Sequence, residues 1–377
     1  MTNLAIVPVR TRREQRRFLE LPWFLHRHDP NWIPPLRSDQ RAVVGYRPHP
    51  FYKTSEAQTF LACREGRVCG RIAAILNHAH NEYYHEKRGF FGFFECVDDP
   101  QVAHGLLDGV RDWFRAKGVH ALRGPVNPGL EYTAGLLIDG FDSPPTFQMT
   151  HNPPYYPRLL EEYGFHKSQD LLAYRVHVGM LPAYNARLRP IAEQIIARYQ
   201  VRVRPLQLHR DVDAFLSVYN RSMLDQWGFY PMSDEEVRWL VGQLRFLLVP
   251  GFALGAEVNG RLVGFTIGLL DYNSRIKQID GRLFPFGFLW LLSRKQKIKK
   301  LCILAMNIVP EYQRLGIPLV LTNMMIPNVL EWGIEEVEYS WISESNRHSY
   351  ANLDKSGAEL IKRYRIYDWA GPDAPHQ

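Results

Sequence analysis

The chain has 377 residues, of which 46% are hydrophobic and 23% charged, and a formal net charge of +7. That composition excludes a largely disordered chain, and the length points to about two domains at roughly 100–200 residues each. The positive balance suits acidic ligands such as nucleotide phosphates or anionic lipid surfaces; no nucleic-acid motif accompanies it, so no nucleic-acid partner is expected.

Cys63, Cys69, Cys96 and Cys302 show no CxxC spacing and no histidine at metal-ligand distance. No metal site is therefore expected, and the thiols read as reduced. The opening stretch MTNLAIVPVRTRREQRRF lacks an apolar run of signal-peptide length. Nowhere do about 18 apolar residues run uninterrupted, so no bilayer-spanning helix is expected and the expected location is the cytoplasm.

Residues 1–55 read as one short helix followed by an extended arm, punctuated by Pro30, Pro34, Pro35, Pro48 and Pro50, which remove backbone donors. Strands at 59–64 and 67–76 flank Glu65-Gly66, a hairpin signal. A phenylalanine-rich strand at 89–97 precedes a helix at 100–117, whose apolar residues recur at helical spacing. A strand at 120–124, a helix at 155–163 ending at Gly164 and a strand at 171–178 complete this first set. After a linker helix at 182–199 the order recurs. A strand at 201–205 leads to helices at 211–227 and 233–246, then strands at 252–258 and 262–270 across Asn259-Gly260, a strong hairpin turn. A strand at 300–309, a helix at 317–332, a strand at 336–342, a helix at 345–356 and a strand at 364–367 follow. Two copies of one topology imply duplication. The expected fold class is α/β (α+β), with tandem domains each built on a mixed central sheet flanked by helices. The expected division is an arm at 1–55, a degenerate domain at 56–180, a linker helix at 181–200 and a site-bearing domain at 201–377.

The stretch CILAMNIVPEYQRLGIPLVLTNMMIPNVLEWG carries the chemistry. An apolar strand ends at Val309-Pro310, a loop at 311–316 follows, and a helix starts near Ile317. Several backbone N–H groups would then gather at a helix N-terminus, where partial positive charge favours a pyrophosphate. Gly316 allows close backbone approach, Arg314 adds a charged contact, and Pro318 suits the first helical turn.

These residues resemble the GNAT acyltransferase superfamily, whose signature Gln/Arg-x-x-Gly-x-Gly/Ala follows the fourth strand. Gln313 and Gly316 match it, while Pro318 replaces the final small residue and removes one N–H contact. Asn346, followed by Gly357 eleven positions later, matches a second family element. The resemblance implies that strand 301–309 splays from strand 336–342 and that a pantetheine arm lies in the gap. The implied cofactor-binding residues are Asn307, Ile308, Val309, Gln313, Arg314, Leu315, Gly316, Ile317, Pro318 and Asn346. No permanently bound cofactor is implied; a coenzyme A thioester is the co-substrate and an amine the acceptor. The N-terminal copy carries Val97-Asp98-Asp99-Pro100-Gln101 instead, whose acids would repel a pyrophosphate. It is expected to have lost cofactor binding and to supply the acceptor pocket; two-copy members such as the myristoyl-CoA and peptidoglycan-bridge transferases resemble this architecture with one working cofactor site.

Acyl transfer needs a neutral amine, a polarised carbonyl and a proton for the leaving thiolate. The tyrosine found in many family members seven residues after the Asn is here Leu353, and Tyr350 is the substitute candidate. Glu344 and Asp271 are candidate bases, and Glu131, beside Tyr132 in NPGLEY, is a third in a strand-end loop. Two other readings stay open: a non-catalytic acyl-CoA-binding or membrane-surface scaffold, and an aminoacyl-tRNA-dependent peptide-bridge transferase.

One insertion stands apart. GRLFPFGFLWLLSRKQKIKK is nearly all apolar at 283–292 and flanked by Arg282, Arg294, Lys295, Lys297, Lys299 and Lys300. It is too short to span a bilayer; it suits the inner membrane interface, as a peripheral contact through 282–300, a greasy entrance to an acyl tunnel, or a plug over the protein's own core. The wider pattern, FLELPWFLHRHDPNWIPPL, RGPVNP, GFD and KRYRIY, resembles bacterial GNAT-like proteins related to bacterial ceramide synthases. That resemblance implies transfer of a long acyl chain to a lipid amine.

Overall fold

Glu65-Gly66 and Asn259-Gly260 each close a two-residue hairpin, and all four residues have positive φ, between 51° and 75°. Such turns match the twist of the strands they join. The structure, a computed structural model, describes residues 4–347, 353–354 and 356–371.

In chain order the elements begin with β1 (Leu4–Pro8), α1 (Arg12–Leu25), α2 (Arg37–Val43), β2 (Ser55–Arg64), β3 (Arg67–Asn77), α3 (His78–Tyr84), β4 (Arg88–Cys96) and α4 (Pro100–Arg115). They continue with β5 (Ala121–Gly124), β6 (Val126–Asn127), β7 (Thr133–Ala134), β8 (Leu136–Asp139), α5 (Tyr156–Tyr163), β9 (His166–His177), α6 (Leu181–Tyr199) and β10 (Arg202–Pro205). Then come α7 (Leu208–Met223), α8 (Asp234–Leu244), β11 (Ala253–Val258), β12 (Arg261–Leu270), α9 (Asn273–Gln278) and α10 (Gly287–Leu292). The last are β13 (Lys300–Ile308), α11 (Pro310–Gln313), α12 (Ile317–Trp332), β14 (Glu336–Ser343) and β15 (Glu359–Ala370).

Two units emerge. Unit 1 takes the described residues of Met1–Leu171, Arg275–Gly287 and Lys362–Gln377; unit 2 takes Leu172–Ser274 and those of Phe288–Ile361. In unit 1 the strand order is β1-β2-β3-β4-β5-β15, antiparallel except for the parallel β4–β5 pair. In unit 2 it is β10-β11-β12-β13-β14, antiparallel except for the parallel β13–β14 pair. Each is a mixed sheet flanked by helices.

The contiguous division expected from the sequence differs from this one in three places. The start of the expected arm is an edge strand, with Leu4 opposite Arg64 and Pro8 opposite Phe60. Behind it α1 opens on a capping box of Thr11 and Glu14 and buries Phe18 and Leu21. Segment 275–287 joins unit 1 because Asp280 accepts hydrogen bonds from the Trp23 indole and the Arg37 guanidinium, both at 2.6 Å. The closing strand is longer than expected, and its Tyr367–Ala370 end pairs with β5 of unit 1.

Packing follows from the helix faces. In α4, Val102, Leu106, Leu107, Val110 and Phe114 are all fully buried in one core cluster. Burying such side chains contributes roughly 1.5–3 kcal/mol each. Helix α12 buries Ile317, Val320, Leu321, Met325, Ile326 and Val329 on more than one face, which a helix does when covered from both sides. Its second cover is α6, where the Asn323 amide donates to the Asn185 carbonyl oxygen at 2.7 Å.

Candidate active site

In unit 2, β13 and β14 pair only from Lys300 opposite Glu336 to Ile303 opposite Tyr339. Both strands continue, to Ile308 and Ser343, without pairing to each other. The two strands therefore form a wedge with its apex at Ile303 and Tyr339. On the other edge β13 stays bound to β12 as far as Ile308 opposite Gly264, with Leu304 as an extra, bulged residue between the Ile303 and Ala305 pairs. Burial changes at the same point: 301–303 are buried, whereas Leu304, Ala305 and Met306 are half-exposed. The open stretch 304–308 is about 17 Å long at ~3.3 Å per residue, and among the described residues no strand pairs with its edge on the β14 side.

The wedge ends at a turn. Helix α11 is a single turn, closed by Tyr312 N–H to Val309 O at 2.9 Å and Leu315 N–H to Tyr312 O at 3.2 Å. Gln313, read as a cofactor residue, donates its side-chain amide to Ile308 O at 3.1 Å and so ties the turn to the strand end. Gly316 has φ +80° and caps α12. A Cβ there would lie 2.5 Å from Ile195 Cδ1, so the glycine serves the turn and the packing of α6 as well. The N–H groups of Gly316 and Ile317 find no acceptor among the described residues, and Pro318 has none to offer. The guanidinium of exposed Arg314 makes no ion pair or hydrogen bond among the described residues. Two open donors and one uncommitted cation thus sit at the positive end of a 16-residue helix.

The other predicted residues are dispersed. Asn307 is buried, and its amide donates to Ser222 Oγ of α7 at 2.8 Å. Asn346 donates to Gln226, just past α7, at 3.4 Å. One helix end therefore holds one residue from each arm of the wedge. Half-buried Glu344 follows β14 at the open end. Asp271 lies at the closed end, where its N–H bonds Lys300 O at 2.9 Å and its carboxylate accepts from Asn273 N–H at 3.1 Å. Glu131 belongs to unit 1, in the turn between β6 and β7. It neighbours Tyr84, whose hydroxyl is pushed up to about 12 by burial and by Tyr83 and Glu131. Tyr350 lies outside the described residues. The structure thus gathers 307–318, Glu344 and Asn346 at one end of the unit 2 sheet, but not Asp271 or Glu131.

Sequence reading missed Ser222 and Gln226, a polar i, i+4 pair at a helix end, and two residues at the apex. Glu338 is fully buried, with Lys300 Nζ 3.0 Å from its carboxylate and Ser340 Oγ donating to it. Tyr339 is half-buried, and burial pushes its hydroxyl up to about 12. A charged residue inside an apolar strand run, and a tyrosine where pairing stops, were the available signals.

Unit 1 has the same strand pair with a different end. β4 and β5 pair from Arg88 opposite Ala121 to Phe90 opposite Arg123, and β4 then bulges at Phe93, φ +51°. Here the following chain fills the gap: Asn127 Oδ1 accepts Phe93 N–H at 2.6 Å, and a Cβ on Gly92 would lie 1.6 Å from Val126 O. The α4 terminus is also occupied, since Asp99 accepts Gln101 N–H at 2.9 Å and pairs with Arg64 at 2.7 Å.

No protein-family model matches the chain. Among curated proteins it is 32% identical to the bacterial ceramide synthase of Caulobacter vibrioides (strain NA1000 / CB15N), covering 98% of each chain. It is 31% identical to protein YghO of Escherichia coli (strain K12), covering 98% of this chain and 97% of that one. Among solved structures, a tandem GNAT protein from the clavulanic acid biosynthesis pathway superposes with a TM-score of 0.59 at 12% identity, over 98% of this chain and 100% of that one. A probable N-acyltransferase from Enterococcus faecalis V583 gives 0.51 at 8% identity, over 98% and 73%. The chain belongs to the family of the bacterial ceramide synthase and YghO, and its fold is that of tandem GNAT proteins.

Proposed function

We propose that unit 2 binds a coenzyme A thioester and transfers its acyl group to the amine of a lipid-like acceptor. The observation that carries this reading is the wedge between β13 and β14, which opens onto the free N–H groups of Gly316 and Ile317. An extended pantetheine arm carries amide groups that suit an unpaired strand edge, and its diphosphate suits the helix terminus beside Arg314. The name of the Caulobacter relative favours an amide-forming transfer of a long acyl chain to an amino lipid.

In that reaction the amine nitrogen attacks the thioester carbonyl, a C–N bond forms and the C–S bond breaks. The amine's proton passes to a base, and the sulfur leaves as a thiol after taking a proton. An arm laid from Ile317 along 304–308 brings its thioester towards the apex, where Tyr339 keeps its proton at neutral pH and can donate to the sulfur. Leu353 has no proton to give. The base is sought between Glu344 and Asp271, both in unit 2.

Calorimetric titration with free CoA, acetyl-CoA and palmitoyl-CoA tests the donor. Binding of all three with a preference for the long chain is expected, and Arg314→Glu should weaken each by about tenfold, or ~1.4 kcal/mol. If none binds, the reading is wrong. Of Glu344→Gln and Asp271→Asn, one should lower turnover by about 10²–10⁴ with CoA affinity kept. Full rate in both would remove these residues as bases.

A further inference from the structure

The insertion at 282–300 is not absorbed by the acyl-transfer reading, and its surface is unusual. Phe284 is 78% exposed, Phe286 73%, Phe288 40%, Leu289 55% and Trp290 52%, all within one short stretch. Only Leu291 turns inward among the residues of α10, at 5% exposure. A segment that plugged its own core would show the reverse. The turn at its tip is tight: a Cβ on Gly287 would lie 1.9 Å from Arg282 O, so Phe284-Pro285-Phe286 stands at the apex of a closed loop.

In unit 2 a further exposed aromatic stands beside the basic run. Lys295 Nζ donates to Phe246 O at 2.6 Å, and Phe246 is itself 56% exposed beneath the Arg245 guanidinium, 4.5 Å from its ring centroid. Within the segment the charge is of one sign, with Arg282 Nε 3.7 Å from the carboxylate of Asp280 just before it. Between Gly281 and Pro310 there is no acidic residue, while Arg282, Arg294, Lys295, Lys297, Lys299 and Lys300 are all basic. Of these, Arg282, Arg294, Lys297 and Lys299 are exposed.

We infer that this surface docks on a lipid bilayer that contains anionic headgroups. Exposed aromatics beside lysines and arginines match the layering of a bilayer interface, where rings sit at headgroup depth and cations meet lipid phosphates. A protein partner would need matching acidic groups around an apolar socket. A second copy of this chain would set basic rim against basic rim, which disfavours self-association. No helix among the described residues is long and apolar enough to cross a membrane, so the contact lies in the surface plane. The inference does not depend on coenzyme A binding.

Co-sedimentation of the full chain with vesicles tests it, using phosphatidylcholine alone and phosphatidylcholine mixed equally with phosphatidylglycerol. Binding should favour the anionic vesicles by at least about tenfold and collapse at salt on the order of 0.5 M. Phe286→Ser/Leu289→Ser and Arg282→Glu/Lys297→Glu, all at exposed side chains, should each reduce binding to anionic vesicles at least about tenfold. Titration of the same variants with CoA separates this claim from the acyl-transfer reading, because both should bind CoA as the parent chain does. Equal partitioning of parent and variants overturns the inference. So does equal binding to the two vesicle types, or a dimer in sedimentation velocity that Phe286→Ser/Leu289→Ser dissociates.

Discussion

The β4–β5 and β13–β14 pairs occupy the same place in the two units, and both stop pairing after a few residues. Past Phe90, the first gap receives Val126 and Asn127 from the following chain. Past Ile303, no described strand pairs with the open edge of β13. The helix after each strand follows suit: Asp99 fills the α4 terminus with its own carboxylate, while α12 starts at Gly316 with donors to spare. On the proposed reading, a parallel pair that parts binds a ligand only where the chain leaves both the gap and the helix end empty. The duplicated topology alone decides nothing about function.

The strongest way to break this comparison is to disturb the filled gap. Gly92→Ala forces a Cβ against the Val126 carbonyl, a backbone atom that cannot rotate away. Unit 1 should lose about 3 kcal/mol or more in urea unfolding. A change under about 0.5 kcal/mol would mean that Val126 does not occupy the gap in solution.

Ion clusters pin the closed ends of the two pairs, and pH should separate them. At the start of β4, Glu86 binds His80 at 2.9 Å and Arg88 at 2.9 Å. Burial alone would raise its carboxyl, but the His80 hydrogen bond and the Arg88 charge bring it down to about 2. Its folded value lies below its unfolded one, so its contribution is present above about pH 4.5 and is lost as pH falls towards 2. That contribution is on the order of 2 kcal/mol. At the start of β13, burial alone would lower Lys300, yet the Glu338 and Glu336 carboxylates hold it above the usual lysine range. A raised lysine stabilises fully below its unfolded value of about 10.4 and loses that contribution as pH rises beyond it. Hydrogen exchange should show unit 1 amides near Arg88 opening first in acid, and unit 2 amides near Lys300 opening first in alkali. The reverse order would sink the assignment of the two clusters.

Much of this was legible in the sequence. The two hairpin turns, the span of α12 and the loop before it follow from local signals that tertiary context leaves unchanged. The N-terminal edge strand was not legible, because LAIVP is short and its register is set by a partner more than fifty residues away. The filling of the first gap was equally hidden, since Val126 and Asn127 look like any loop until Gly92 is placed opposite them. At the candidate site the turn was readable, but the placement of Asp271 was not. A strand-end carboxylate lies at either end of a sheet, and only the register of β12 on β13 decides which.

Asp99→Ala isolates the helix terminus from the gap. Loss of this cap should cost about 1 kcal/mol of unit 1 stability, the smallest effect expected here. The change also removes the acid that faces the α4 terminus, releases the Gln101 N–H and leaves Arg64 without its 2.7 Å partner. The α4 terminus then resembles that of α12 in open donors, with Asp98 still beside it and paired with Arg158. If such a terminus were enough to hold a coenzyme A diphosphate, calorimetry would now count two CoA sites per chain. One site is expected, because Val126 and Asn127 still lie where a pantetheine arm would have to pair. A count of two would make the helix end sufficient and the wedge between β13 and β14 incidental.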